Sequence, residues 1–302
     1  MTRHLLEIDD LTAPELAEVL DRCAEHEPAR VLAGQGAALL FEKPSNRTRN
    51  STEMAIVHLG GHPVYIRPEE VDIDTRESAE DVARTLACYH AVIAARVFDH
   101  QVLVRMAAAV DIPIVNLLSD LSHPLQAIAD LLTIRAEFGG FTDRTVTWVG
   151  DYSNVARSLA LGSAMVGMGV HFACPAGYAP SNDDLALFEA AGAPVVESSD
   201  DPKAAVEGAD VVVTDAWYSM GQEAEAAIRR PIFEPFRVDA DLMALASADS
   251  IFLHCLPAHR GEEVTNEVVD GPQSRVWPEA ANRLPAARGA IEWLVTHSRV
   301  ES

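Results

Sequence analysis

The run Phe41-Glu42-Lys43-Pro44-Ser45-Asn46-Arg47-Thr48-Arg49-Asn50-Ser51 crowds donors for an oxyanion into the turn between an apolar segment and a helical one. Ahead of it, residues 36–41 form a short apolar run of buried-strand type. Behind it, Met54, Val57 and His58 or Leu59 recur at helical spacing. A helix opening at Ser45 presents unpaired backbone N–H groups and the positive end of its dipole, and Arg47 and Arg49 add two forked cations. The ligand that suits such a cradle is a small phosphate or phosphonate. An N-cap followed by a solvated basic turn could be written with the same residues. Against that reading, the two arginines cluster in a chain with 23 Lys and Arg against 46 Asp and Glu.

These residues need a scaffold, and the rest of the chain supplies one. Strand-like apolar runs alternate with helix-length segments, the pattern of parallel sheets covered on both faces. In the first half the runs are 37–41, 63–66, 91–95 and 112–116; in the second they are 146–150, 170–174, 194–197, 211–214 and 251–254. Between the halves, residues 123–138 read as one helix with an apolar stripe of Leu125, Ile128, Ala129, Leu132 and Phe138, closed by Gly139-Gly140. The expected fold is α/β, with two doubly wound domains, each a central parallel sheet flanked by helices. One domain covers residues 1–138 and the other 139–284, and a last helix near 285–302 returns to the first. Polar clusters follow six of the strands: 45–49, Arg96, His123 with Gln126, 151–154, 215–222 and 254–257. Ligands of open parallel sheets bind beyond the strands' carboxyl ends, so these clusters place an active site in the cleft between the domains.

Composition narrows the function classes. At 302 residues the chain is long enough for two cores. A formal net charge of −23 argues against nucleic acid or an anionic membrane as a partner. No apolar run approaches the roughly 18 to 20 residues of a membrane span, and the acidic start lacks a secretory pattern, so a cytoplasmic protein is expected. Cys23, Cys88, Cys174 and Cys255 are widely separated and form no CxxC pair, which indicates neither a disulfide framework nor a structural zinc site.

Seven motifs, in order and spread over nearly the whole chain, resemble the ornithine carbamoyltransferase family within the aspartate/ornithine carbamoyltransferase superfamily. They are the 41–49 run, Gly60-Gly61-His62-Pro63, Ala95-Arg96-Val97-Phe98, His123-Pro124-Leu125-Gln126, the run 215–223, His254-Cys255-Leu256-Pro257 and Glu279-Ala280-Ala281-Asn282-Arg283. The resemblance implies transfer of the carbamoyl group of carbamoyl phosphate to the side-chain amine of L-ornithine, giving L-citrulline and phosphate in arginine biosynthesis. It implies small-molecule substrates, no cofactor, no metal and a homotrimer. By the same resemblance, Ser45, Asn46, Arg47, Thr48 and Arg96 clamp the phosphate. Thr48, Arg96 and His123 stabilise the carbonyl oxygen, while Gln126, Arg283 and the backbone carbonyls around Cys255 and Leu256 orient the carbamoyl NH₂. Asp215 and Cys255 contact the attacking amine, and Asn154, Asp215, Ser219 and Met220 hold the amino-acid end.

Each residue also has a plainer reading. His123 before Pro124 suits an N-cap, Cys255 a small buried hydrophobe, Trp217 a packing anchor and Asp151 a helix cap, and His254 suits a structural role. The chain departs from the family pattern at Asn46, where Thr is usual, at Tyr152, where a small residue is usual, and at Asp72, near a loop that in the family reaches a neighbouring subunit's phosphate. Two alternatives therefore stand beside the leading reading: a carbamoyltransferase for putrescine, an acylated ornithine or aspartate, and a non-catalytic homologue that binds carbamoyl phosphate or an amino acid.

Overall fold

The computed structural model describes residues 2–218 and 225–298, which divide into two compact units, Met1–Leu132 with Ala281–Ser302 and Thr133–Ala280. In the first unit the order is α1 (Ala13–Ala24), β1 (Gly36–Phe41), α2 (Asn46–His58), β2 (His62–Ile66), α3 (Pro68–Val71), α4 (Ala79–Ala87), β3 (His90–Arg96), α5 (His100–Ala109), β4 (Ile114–Leu118) and the start of α6 (Pro124–Phe138). The strands form one parallel sheet in the order β2-β1-β3-β4. In the second unit β5 (Thr145–Val149), α7 (Asn154–Met165), β6 (Gly169–Ala173), α8 (Asn182–Ala191), β7 (Val196–Ser199), α9 (Pro202–Val206), β8 (Val211–Thr214), α10 (Ala226–Phe233), α11 (Ala240–Met243), β9 (Ile251–Leu253), α12 (Asn266–Val269) and the start of α13 (Val276–Ser298) follow in turn. Its sheet, also parallel, has the order β7-β6-β5-β8-β9.

The strand order creates a reversal in each sheet, between β1 and β3 in the first and between β5 and β8 in the second. Loops leaving the two strands at such a point diverge to opposite faces and open a crevice. The loop after β1 begins the phosphate-type run and β3 ends on Arg96, while β5 leads to Asn154 and β8 to Asp215.

Several expected boundaries shift for identifiable reasons. β4 runs two residues past the expected 112–116, because Asn116 is buried within it with its amide donating to the Leu6 carbonyl at 2.8 Å, Ser119 Oγ at 3.1 Å and the Ser122 carbonyl at 3.2 Å. His254 is outside β9, since its N–H donates to Glu279 Oε2 at 2.8 Å instead of to the ladder. The last helix starts at Val276 and carries Pro285 inside it, so that proline is not the start signal it resembled. α2 also turns differently from the expected stripe. Met54 and Val57 are 45% and 47% exposed, and the buried face is Thr48, Thr52, Ala55 and Ile56, of which only Ile56 stands out in a hydropathy pattern.

Candidate active site

α2 is capped by Ser45, whose extended backbone (φ −151°, ψ 119°) lets its Oγ accept from the Thr48 N–H at 3.3 Å. The Asn46 and Arg47 amides are the first two of the helix, with no intrahelical acceptor available to them. Asn46 turns its side chain along the helix, where Oδ1 accepts from Asn50 Nδ2 at 3.0 Å. Arg47 is half-buried. Arg49 is not part of the cradle. Its guanidinium pairs with Glu53 at 2.7 Å and lies 3.8 Å from the Tyr65 ring centroid.

Behind the capped turn the first unit gathers an unusually polar interior. Thr48 is 2% exposed, and its Oγ1 accepts from Arg283 Nη2 at 3.0 Å and Arg96 Nη1 at 3.5 Å. Arg283 Nη1 also donates to Gln126 Oε1, and Gln126 Nε2 donates to Asp130 Oδ1 at 2.7 Å. Asp130, one helical turn from Gln126 on α6, was not anticipated. A Gln…Asp pair four residues apart was the available signal. His123 is 3% exposed beside the two arginines, and burial first, then the Arg283 and Arg96 charges, hold its pKa well below the ordinary imidazole value. Its ring is therefore neutral at pH 7 and can donate a hydrogen bond without carrying charge. Lys43 lies over the Phe98 ring at 4.2 Å, with its pKa lowered by burial and then by Arg96. Thr48, Arg96, His123, Gln126 and Arg283 are thus brought together by β3, α2, α6 and α13.

The second unit forms its own cluster. Asn154 opens α7, and its Oδ1 accepts from the Val155 N–H at 3.0 Å, while Ser153 is the N-cap. Asp215 leaves β8 and accepts from the Ala216 N–H at 2.8 Å. Ligand atoms of Asp215, His254 and Cys255 lie within 4.8 Å of one another. His254 has no lone pair to offer a metal or a proton there. Its Nδ1 accepts from the Leu256 N–H at 2.9 Å, so Nε2 carries the hydrogen donated to Glu263 Oε1 at 3.1 Å. Glu263 and Glu279 are fully buried supports of that ring and its backbone; Glu263 was not anticipated, and Glu279 stood only as the first residue of a family-like motif. They hold a strained turn: Leu256 adopts φ +59°, a left-handed conformation that costs an ordinary L-residue about 1–2 kcal/mol.

Asp151 is not the cap of α7, a place Ser153 takes, but the partner of a buried arginine. It takes Arg229 Nη1 at 2.7 Å, yet burial pushes its pKa up to about 6 against that pairing, with Asp215 and Glu225 adding to the rise. Trp217 is a packing anchor, stacked on Phe233 with ring centroids 6.0 Å apart. Tyr152 packs edge-on against Phe172 at 5.6 Å, its hydroxyl kept protonated by burial. Asp72 is an exposed left-handed turn residue at the end of α3. Ser219 and Met220 lie outside the described residues.

Comparison with known proteins places these features in a lineage. Residues 3–136 match the carbamoyl-P binding domain of aspartate/ornithine carbamoyltransferase, and residues 142–294 match its Asp/Orn binding domain. The chain is 47% identical over 303 residues to an ornithine carbamoyltransferase of Acidothermus cellulolyticus, covering 98% of this chain and 97% of that one. It is 43% identical to an anabolic ornithine carbamoyltransferase of Pyrococcus furiosus, covering 96% and 95%. A solved ornithine carbamoyltransferase structure from Pyrococcus furiosus superposes with a TM-score of 0.91 at 43% identity over 96% of each chain.

Proposed function

The chain belongs to the aspartate/ornithine carbamoyltransferase family, and from that membership we propose that it transfers the carbamoyl group of carbamoyl phosphate to the side-chain amine of L-ornithine, in the anabolic direction that feeds arginine synthesis. The single observation that carries the reading is the buried set of Thr48, Arg96, Gln126 and Arg283, joined by hydrogen bonds behind a capped helix start, with the buried ring of His123 beside the two arginines. Two interior guanidiniums and a neutral imidazole are a costly arrangement for a fold alone, and they fit an acyl phosphate.

In this reading the domain of residues 1–138 with the 285–302 helix binds carbamoyl phosphate, and that of 139–284 binds ornithine. Ser45, Asn46, Arg47, Thr48 and Arg96 hold the phosphate. As the amine nitrogen bonds to the carbonyl carbon, negative charge grows on the carbonyl oxygen, where Arg96, His123 and the Thr48 hydroxyl supply donors preset by the fold. The C–O bond to phosphate then breaks and phosphate leaves on the clamp. Arginine has no acceptor, so Arg283 serves the carbamoyl NH₂ by aiming the Gln126 amide oxygen, alongside the carbonyls at Cys255 and Leu256. Asn154, Asp215, Ser219 and Met220 hold the amino acid. An ordinary alkyl ammonium, with a pKa near 10.4, costs roughly 4–5 kcal/mol to deprotonate at pH 7. Asp215 and Cys255 bind it as the cation and draw its proton away. The reading extends to a cytoplasmic homotrimer, which light scattering on the purified chain would register as three times the chain mass.

The test is citrulline formation from carbamoyl phosphate, with ornithine offered beside putrescine, N-acetylornithine and aspartate. Turnover confined to ornithine is the expected result. Turnover with another acceptor would move the amine assignment, and binding of carbamoyl phosphate without turnover would leave a non-catalytic homologue.

A further inference from the structure

Arg229 lies on α10, buried, and its guanidinium joins strand-end loops of the second unit. Nη1 donates to Asp151 Oδ2 at 2.7 Å and to the Trp217 carbonyl at 3.0 Å. Nε donates to Glu225 Oε2 at 2.9 Å, and the group sits 5.0 Å from the Tyr178 ring centroid, in the loop after β6. Asp151 stands three residues before Asn154 in the loop after β5, and Trp217 two after Asp215 in the loop after β8. A further hydrogen bond, from Trp148 Nε1 to the Asp151 carbonyl at 2.9 Å, fixes that loop to its own strand.

We infer that Arg229 is a positioning residue for the amino-acid half of the reaction, holding the loops after β5 and β8 at the separation at which Asn154 and Asp215 engage one substrate. The inference rests on the carbamoyl-transfer reading and adds to it a residue that touches no substrate. One cation spanning a side-chain carboxylate and a main-chain carbonyl fixes both partners, because leaving either unpaired in the interior is costly. The charged and titratable groups facing Asp151 are Arg229 on α10, Glu225 just before that helix, Asp215 after β8 and Cys174 after β6. Burial raises Asp151 from its usual 3.8 to about 6, so the ion pair is intact above that pH and is lost as pH falls through it.

The experiment compares Arg229→Gln, Arg229→Lys and Asp151→Asn with the wild-type chain, by saturation with each substrate and by tryptophan fluorescence from pH 8 to pH 5 without substrate. Arg229→Gln should raise the ornithine KM roughly 10- to 100-fold while the carbamoyl phosphate KM stays within roughly twofold, since loop misplacement acts on one half of the reaction. Arg229→Lys should recover part of that loss. The wild-type emission should step near pH 6, because Trp148 and Trp217 both touch the pair; the step should move upward in Arg229→Gln and vanish in Asp151→Asn. An unchanged ornithine KM, or two KM values raised together with a loss of helical circular dichroism, would overturn the inference, as would a wild-type emission without a step. If wild type makes no citrulline the carbamoyl-transfer reading falls instead, and the fluorescence step then decides by itself whether Arg229 holds the two loops.

Discussion

His123→Gln isolates the protonation state of one buried ring. In the native chain His123 is 3% exposed beside Arg283 and Arg96, and burial and those charges keep its pKa well below the ordinary 6.5. In the unfolded chain the ring takes up a proton at its ordinary value. Between the two values the unfolded state binds more protons, so stability rises with pH across that window and falls as pH drops below 6.5. With one proton at stake the slope reaches about 1.4 kcal/mol per pH unit. Glutamine keeps comparable length and a donor but does not titrate, so it removes this slope and leaves every other group's contribution in place. Thermal unfolding followed by circular dichroism, at steps between about pH 7.5 and pH 5.5, reads the difference. Wild type should lose about 3–6 °C more per pH unit than the variant below the imidazole range, at the 2–4 °C per kcal/mol of domains of 150–250 residues. Parallel pH dependences in the two proteins would refute the reasoning, because they would mean that the ring titrates alike folded and unfolded.

Arg47→Ala should raise the KM for carbamoyl phosphate roughly 10- to 150-fold, the worth of one charge-assisted hydrogen bond; an unchanged value in steady-state kinetics would remove Arg47 from the phosphate clamp. Gly289→Ala on α13 would drive a methyl group against Cys23 of α1, into contact with its Sγ and to 2.8 Å from its backbone N and 3.0 Å from its Cα. Backbone cannot step aside as a side chain can, so a loss of about 1–3 kcal/mol or more is expected in a urea melt, and wild-type stability would show that the two helices pack more loosely. Raising NaCl from about 0.05 M to about 1 M shortens the screening length to about 3 Å and should raise the Tm of a chain with net charge −23; a flat or falling Tm would show that self-repulsion is not a significant term.

The local order was legible because its cause is local. Runs read from the sequence place all the strands to within two residues, and the inner strands are the clearest, since a fully buried parallel strand must be apolar on both faces whatever its neighbours; the edge strands β2 and β7 are partly exposed. Ser45 reads as a helix cap because a hydroxyl three residues ahead of a donor closes the bond by itself. The site residues, in contrast, were legible by resemblance to a family rather than by their own chemistry. Taken singly, His123 and Cys255 each had an ordinary structural reading.

Sequence alone determined the alternation of strand and helix, the acid excess, the phosphate-type turn and the candidate residues, because each depends on a residue and its near neighbours. Only the tertiary structure decided which face α2 buries, that Arg49 is spent on Glu53 and Tyr65, and that His254 is a support whose nitrogens are both engaged. It also decided that Asp130, Arg229, Glu263 and Glu279 matter. Those outcomes turn on contacts between residues as far apart in the chain as Arg283 and Thr48, or Arg229 and Asp151. A side chain's charge and hydrogen-bonding capacity are written in the sequence, but the partner that uses them is set by which strand lies beside which.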